Sequence, residues 1–135
     1  MSNLLVQNIK HTNNTTSMAI DTSGQVTIRG EGSATTTNLQ QGLAKGWLQF
    51  NGTSTAAIQD SFNYASITDH TTGDYSSTLT NAMANNDYSV NISGSGADFI
   101  QQSVTTSATR VEVYNTSASG VDVAIVSKTA HGDLA

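Results

Sequence analysis

Apolar residues in this chain recur in short runs at a spacing of two, and the runs are separated by polar turn residues. Val26 and Ile28 alternate with Gln25, Thr27 and Arg29. The same alternation joins Phe62 to Tyr64, Tyr75 to Ser77 and Leu79, Val111 to Val113, and Val121 to Val123 and Ile125. A period of two puts successive side chains on opposite faces of a strand, so each run predicts a strand with one buried face. Strands are expected over 47–50, 55–58, 62–67, 75–79, 88–92, 99–104, 110–114 and 121–126.

Turn chemistry orders these runs. Asp21-Thr22-Ser23-Gly24 lies between Met18-Ala19-Ile20 and Val26-Thr27-Ile28, which is the signature of a hairpin. Two more hairpins are expected across 67–75 and 114–121. The opening run of Leu4, Leu5, Val6 and Ile9 is too short for a stable helix and reads as a strand or an extended arm. Residues 30–37 carry little apolar content and read as a loop. Residues 38–44 fit one helical turn or an irregular connection, and 79–88 is a longer connection that could hold another turn of helix.

Regularly spaced short strands predict an all-β fold, a small antiparallel β-sandwich or barrel-like domain. Residues 1–37 supply one apolar run and one hairpin, too few strands for an independently stable sheet. We therefore expect an N-terminal attachment or oligomerisation arm over 1–37 and a sandwich-like domain over 38–135.

Composition agrees with this picture. Of the 135 residues 36% are hydrophobic and 11% charged, with 11 glycines and no proline. The charged fraction lies well below the roughly 25% of an average globular domain. Threonine, serine, asparagine and glycine fill the difference. Threonine suits strands, and asparagine and glycine suit tight turns. A formal net charge of −5 with five scattered basic residues, Lys10, Arg29, Lys45, Arg110 and Lys128, argues against a nucleic-acid partner, because phosphate binding needs clustered cations. The absence of cysteine excludes disulfides, zinc–thiolate sites and thiol nucleophiles. The first residues lack a secretion signal and no apolar run reaches the length of a membrane span, so synthesis in a host cytoplasm and no membrane partner are expected.

One ordered series of phrases carries a resemblance. Thr36-Thr37-Asn38-Leu39-Gln40-Gln41-Gly42-Leu43-Ala44-Lys45 runs on through Trp47-Leu48-Gln49-Phe50-Asn51-Gly52-Thr53. It is followed by Asp60-Ser61-Phe62-Asn63, Ser66-Ile67-Thr68-Asp69, Gly73-Asp74-Tyr75, Thr80-Asn81-Ala82-Met83 and Tyr88-Ser89-Val90. The series covers more than a third of the chain and resembles virion structural and tail-fibre-like proteins of marine tailed phages, of the cyanophage type. Gly46 and Gln59 depart from the pattern, where a larger residue and an arginine are expected. The resemblance implies a place in a virion, in an appendage or surface component, and trimeric assembly. It supplies no catalytic residues.

The chemistry-bearing side chains each have a plainer structural role beside a functional one. His11, His70 and His131 lie in separate loop-like regions without metal-ligand spacing, so no metal is expected there. Asp69, Thr71 and Asp74 around Gly73 offer oxygen ligands for calcium, but the same residues build a hairpin turn. The two glutamates are Glu31 and Glu112, and a glycosidase pair from Asp60 with Asp98 or Glu112 would need both carboxylates in one cleft. Ser93-Gly94-Ser95-Gly96-Ala97-Asp98 lacks the helix of a phosphate loop and reads as a turn. The Asn-x-Ser/Thr matches at Asn13, Asn14, Asn51, Asn91 and Asn115 are expected to stay unmodified. Trp47, Phe50, Phe62, Tyr64, Tyr75, Tyr88, Phe99 and Tyr114 are the expected core anchors, with an exposed subset available for a carbohydrate or protein contact.

The sequence thus favours a non-enzymatic phage structural protein, with no catalytic, cofactor or metal residues assigned. Its expected partners are copies of itself and other virion proteins. A capsid decoration (cement) protein and a host-glycan-binding module of the virion are the alternatives. An exposed Trp47 or exposed tyrosines would favour the glycan reading.

Overall fold

A computed structural model describes residues 7–12, 14–29 and 36–135. Leu4, Leu5 and Val6 of the opening run, Asn13, Glu31 and residues 30–35 of the expected loop lie outside the described residues. The fold is all-β, with every strand pairing antiparallel. The chain divides into two compact units, Met1–Leu43 and Ala44–Ala135.

In the first unit four short strands, β1 (Asn8–Lys10), β2 (Thr16–Ile20), β3 (Val26–Arg29) and β4 (Thr36–Asn38), follow one another across a sheet in chain order. The hairpin expected from Asp21 and Gly24 is β2–β3, with Met18 opposite Ile28 and Ile20 opposite Val26. The Asp21 carboxylate closes its turn by accepting from the amides of Ser23 and Gln25, each at 2.8 Å. Gly24 takes a φ of +79°, which glycine adopts without a Cβ penalty. Thr36 and Thr37, expected in a loop, instead pair with Arg29 and Ile28. The single helical turn is α1 (Leu39–Gly42), where the Asn38 side chain caps the Gln40 amide at 2.8 Å. No described residue of this unit is buried; Ile9 is 54% exposed and Leu43 53%.

The second unit is built from two four-stranded sheets. One has the order β6-β5-β12-β9, from β5 (Gly46–Asn51), β6 (Ala57–Phe62), β9 (Ser89–Gly94) and β12 (Val126–His131). The other has the order β10-β11-β8-β7, from β7 (Tyr64–Thr71), β8 (Asp74–Leu79), β10 (Asp98–Val104) and β11 (Ala108–Tyr114). They enclose a core of Leu48, Phe50, Tyr64, Tyr75, Leu79, Met83, Tyr88, Val111, Val113, Val123, Val126 and Ala130. Phe50 from one sheet meets Tyr75 from the other edge-on, with ring centroids 5.2 Å apart. The result is a sandwich, one of the two architectures expected.

Three segments differ from their expected form. Residues 55–58 and 62–67 were expected as separate strands, but the extended chain runs from Ala57 to Thr71 and is broken at Asn63 alone. Asn63 sits at φ +59°, and its side chain reaches the Lys45 carbonyl at 2.9 Å and the Asn81 amide at 2.7 Å. That corner carries the chain from one sheet to the other. The connection 79–88 contains no helix; it buries Met83, which bridges to Leu134. The strand expected over 121–126 begins only at Val126. Before it, Gly52 donates to the Val123 carbonyl at 2.9 Å and Ser95 to the Ile125 carbonyl at 3.1 Å, so the chain is held irregularly as it crosses between sheets.

Candidate functional site

The faces of the sandwich differ in what they leave unsatisfied. On the outer face of the β10-β11-β8-β7 sheet, charged groups are paired. Arg110 donates to the Asp74 carboxylate through Nε at 2.7 Å and through Nη2, a bidentate fork. That hydrogen-bonded guanidinium holds the Asp74 carboxyl below the ordinary carboxylate range, against the opposing effect of burial. The Glu112 carboxylate accepts from Gln102 and from the Tyr114 hydroxyl. His70 meets the Ser76 hydroxyl at 2.8 Å. Asp74, whose oxygens were weighed as calcium ligands, is therefore committed to Arg110. The turn around it is the β7–β8 hairpin, with Gly73 at φ +75°.

An open depression of about 290 Å³ lies at the end of this sheet, lined by Asp98, Ile100, Tyr114, Asn115, Thr116 and Ala118. Its polar groups are largely occupied. The Asn115 side-chain oxygen accepts from the Ser117 and Ser119 amides at 2.9 and 3.1 Å, and the Tyr114 hydroxyl serves Glu112. Asp60 stands on the opposite sheet from Asp98 and Glu112, so the glycosidase pairs built on it do not form one cleft. Glu31, the other glutamate, is outside the described residues. Among the described residues no three His, Asp or Glu side chains gather as a metal site; His11 follows β1, while His70 and His131, expected in loops, lie in β7 and β12. Ser93–Asp98 turns the chain from β9 to β10, with Gly96 at φ +66°.

The outer face of the β6-β5-β12-β9 sheet is built differently. Register places Phe62, Trp47, Thr129 and Asn91 abreast across all four strands, and Asp60, Gln49, Ser127 and Ser93 in the next row. Residues opposite each other in a register share a face. Trp47 is 40% exposed and Phe62 52%, although both were expected as core anchors. Phe50, Tyr64, Tyr75 and Tyr88 are the anchors that are buried, while Phe99 and Tyr114 are half-buried. Gln49 Nε2 lies 3.5 Å from the Ser127 hydroxyl, at the limit of a hydrogen bond, so its amide is weakly engaged.

Between the sheets lies a polar line that the sequence did not announce. Lys128 is buried at 2% exposure, and its ammonium donates to the Ser77 hydroxyl at 2.5 Å and the Thr109 carbonyl at 3.3 Å. The Ser77 and Thr109 hydroxyls are 3.0 Å apart. No carboxylate offsets the loss of water, and burial alone pulls the Lys128 pKa down from 10.5 to about 7. The Tyr64 hydroxyl is buried with no close hydrogen bond, and burial raises its pKa against the weaker opposing effect of the nearby Thr109 hydroxyl. Tyr75 fares better: its hydroxyl donates to the Asp122 carboxylate, with the Gly52 carbonyl at 3.0 Å, while the Gly73 amide donates to the same carboxylate at 2.8 Å.

No protein-family model, curated protein or solved structure matches the chain.

Proposed function

We propose that this protein is a non-enzymatic structural component of a tailed-phage virion, a tail-fibre-like or other surface-appendage protein that works as a homo-oligomer, a trimer. The family resemblance of its ordered phrases supports the virion assignment. The structural observation that carries the reading is the contrast between the two units. Among the described residues all the buried side chains belong to Ala44–Ala135, and none belongs to the N-terminal unit. A four-stranded sheet in which no described residue is buried gains stability by covering its half-buried residues, among them Met18, Val26 and Ile28, with copies of itself or with other virion proteins. The sandwich, with its own core, is the part on display. The Arg110–Asp74 ion pair, the Glu112 carboxylate engaged by Gln102 and Tyr114, and carboxylates that do not share a cleft with Asp60 suit a structural role better than hydrolysis.

Light scattering on the full chain and on a chain beginning at Ala44 tests the reading, together with antibody labelling of intact particles. The full chain is expected to be trimeric and to label the tail or its fibres. The shortened chain is expected to be a folded monomer that no longer joins the particle. Labelling confined to the head would establish the decoration alternative. A full chain that stays monomeric, or a shortened chain that is incorporated normally, would refute the assembly role of the N-terminal sheet.

A further inference from the structure

We infer that the outer face of the β6-β5-β12-β9 sheet is a binding platform for a neutral glycan, with Trp47 and Phe62 as its stacking surface. The inference does not rest on the virion assignment, since it concerns the isolated sandwich. Three observations carry it together.

The first is the cost of leaving these rings outside. The chain has one tryptophan and three phenylalanines, and its hydrophobic fraction is 36%. A domain so short of large apolar side chains gains from burying each one. It nevertheless places its tryptophan and one of its phenylalanines side by side on a solvent-facing sheet, as directly opposed residues of β5 and β6. Opposed residues hold their Cβ atoms about 5 Å apart. The two rings therefore form one contiguous patch on rigid strands.

The second is what surrounds them. Continuing the row from Trp47 are the Thr129 hydroxyl and the Asn91 amide, and beside it run Gln49, Ser127 and Ser93. These groups both donate and accept, which is what a polyol requires. Four strands at about 4.8 Å spacing make the row roughly 14 Å wide, aromatic at one end and hydroxyl- and amide-bearing at the other. A sugar ring presents apolar C–H faces and an equatorial rim of hydroxyls, so both ends of the row are matched by one ligand.

The third is charge. Asp60 is the one acid in these two rows, and none of the five basic residues stands in them: Lys128 points into the core and Arg110 is forked to Asp74 on the other sheet. Lys45, two residues before Trp47, is buried, so an anionic polysaccharide or a nucleic acid would find no cation in the two rows. A neutral glycan meets no penalty.

Trp47 is the sole tryptophan, so its fluorescence reports on this face directly. The full chain should be titrated with neutral gluco-, manno-, xylo- and galacto-oligosaccharides and, as charged controls, with alginate and hyaluronate oligosaccharides. Affinity electrophoresis in gels containing the matching polysaccharides follows the variants. A saturable emission change is expected with at least one neutral series and with neither charged one. Trp47→Ala and Phe62→Ala should each weaken retardation roughly tenfold or more, and Gln49→Ala severalfold. Ile100→Ala, an exposed apolar change on the other sheet, should leave it unaltered. Circular dichroism and melting curves confirm that each variant is folded. The inference is overturned if no neutral series binds, if binding survives in Trp47→Ala and Phe62→Ala, or if the uronate series bind more tightly. It is also overturned if the emission change follows protein concentration and Trp47→Ala disperses an oligomer, since a second copy would then occupy the face.

Discussion

Replacing Lys128 with methionine should make this protein more stable at neutral pH. Holding the ammonium between the sheets lowers its pKa from 10.5 to about 7. At about 1.4 kcal/mol for each pH unit of that difference, the charged form carries a penalty of about 5 kcal/mol below pH 7. Methionine keeps an unbranched apolar stem and removes the charge. It also forfeits the bonds to the Ser77 hydroxyl and the Thr109 carbonyl, worth about 1 kcal/mol each, but the Ser77 and Thr109 hydroxyls still have each other at 3.0 Å. The net gain at pH 7 is then about 2–3 kcal/mol, a rise in Tm on the order of 10 °C for a domain of this size.

The pH dependence has a definite sign. Between about pH 7 and 10.5 the unfolded chain holds a proton on Lys128 that the folded chain has released, so stability rises with pH across that window. The gain between pH 7 and 9 is about 2 kcal/mol. Above pH 10 the trend reverses, because burial raises the pKa of Tyr64, that of Tyr75 strongly, and that of Tyr88 to about 12, and the unfolded tyrosines ionise first. Urea unfolding of the wild type at half-unit steps from pH 6 to 10.5 should show a maximum near pH 9–10, while Lys128→Met should be nearly flat up to pH 10. A wild type with no slope between pH 7 and 9, together with a less stable methionine variant, would refute the argument. It would mean that the ammonium is solvated where it stands.

Gly73→Ala should cost about 2 kcal/mol or more, because the residue sits at φ +75° and a Cβ would lie 2.5 Å from the Val113 carbonyl and 2.7 Å from the Val121 amide; chemical denaturation would measure it, and a neutral substitution would show that the β7–β8 turn can move. Tyr75→Phe removes the hydroxyl held by Asp122 and Gly52 and should destabilise by about 1–3 kcal/mol, with melting that stays two-state. Acid should weaken the fold as pH falls through the lowered pKa of Asp74, and Arg110→Gln should move that acid transition toward higher pH. Chelation should leave the melting transition unmoved; a loss restored by calcium would show that the Asp69–Asp74 turn binds the ion after all.

How far the sequence revealed the fold depended on whether local pattern and global path agreed. In β8 and β11 they agree: Tyr75, Ser77 and Leu79 face inward together, as do Thr109, Val111 and Val113. The hairpins at Asp21–Gly24 and at Gly73 were legible because their turn residues are dictated by backbone geometry. Around Phe62 the pattern misleads. Ile58, Asp60, Phe62 and Tyr64 share one parity, and simple alternation puts all four on one face. A bulge between Asp60 and Ile58 shifts the register, so Ile58 lies opposite Phe50 while Asp60 and Phe62 turn outward. The left-handed corner at Asn63 then returns Tyr64 to the core on the other sheet. Neither device has a periodic signature. The platform was therefore invisible as a site, although Trp47 had been singled out as a residue whose exposure would matter. Lys128 was missed for a similar reason: Val126, Lys128 and Ala130 alternate inward, but a lysine in a run of small residues reads as solvent-facing until its strand is known to be central.

The position of Lys128 also bears on how the two sheet faces came to differ. β12 and β5 are the central strands of their sheet, and their inward residues must fill the core that Trp47 and Phe62 do not enter. Lys128 fills part of it with an aliphatic stem, at a cost in charge that a leucine or methionine would avoid. Stability alone would favour the reverse arrangement, with apolar bulk inside and lysine outside. Here the two outer rows have the rings and lack a cation, so the sequence departs from the stable choice twice, in the same sheet and in opposite senses. Each departure removes a positive charge or adds an aromatic surface on the side that faces solvent. A pair of compensating costs of this kind is expected where a surface is kept for binding. It is not expected of a face that merely meets water, and on this ground the Trp47–Phe62 rows, rather than the shallow depression beside Ile100, are the part of the sandwich to test first for a ligand.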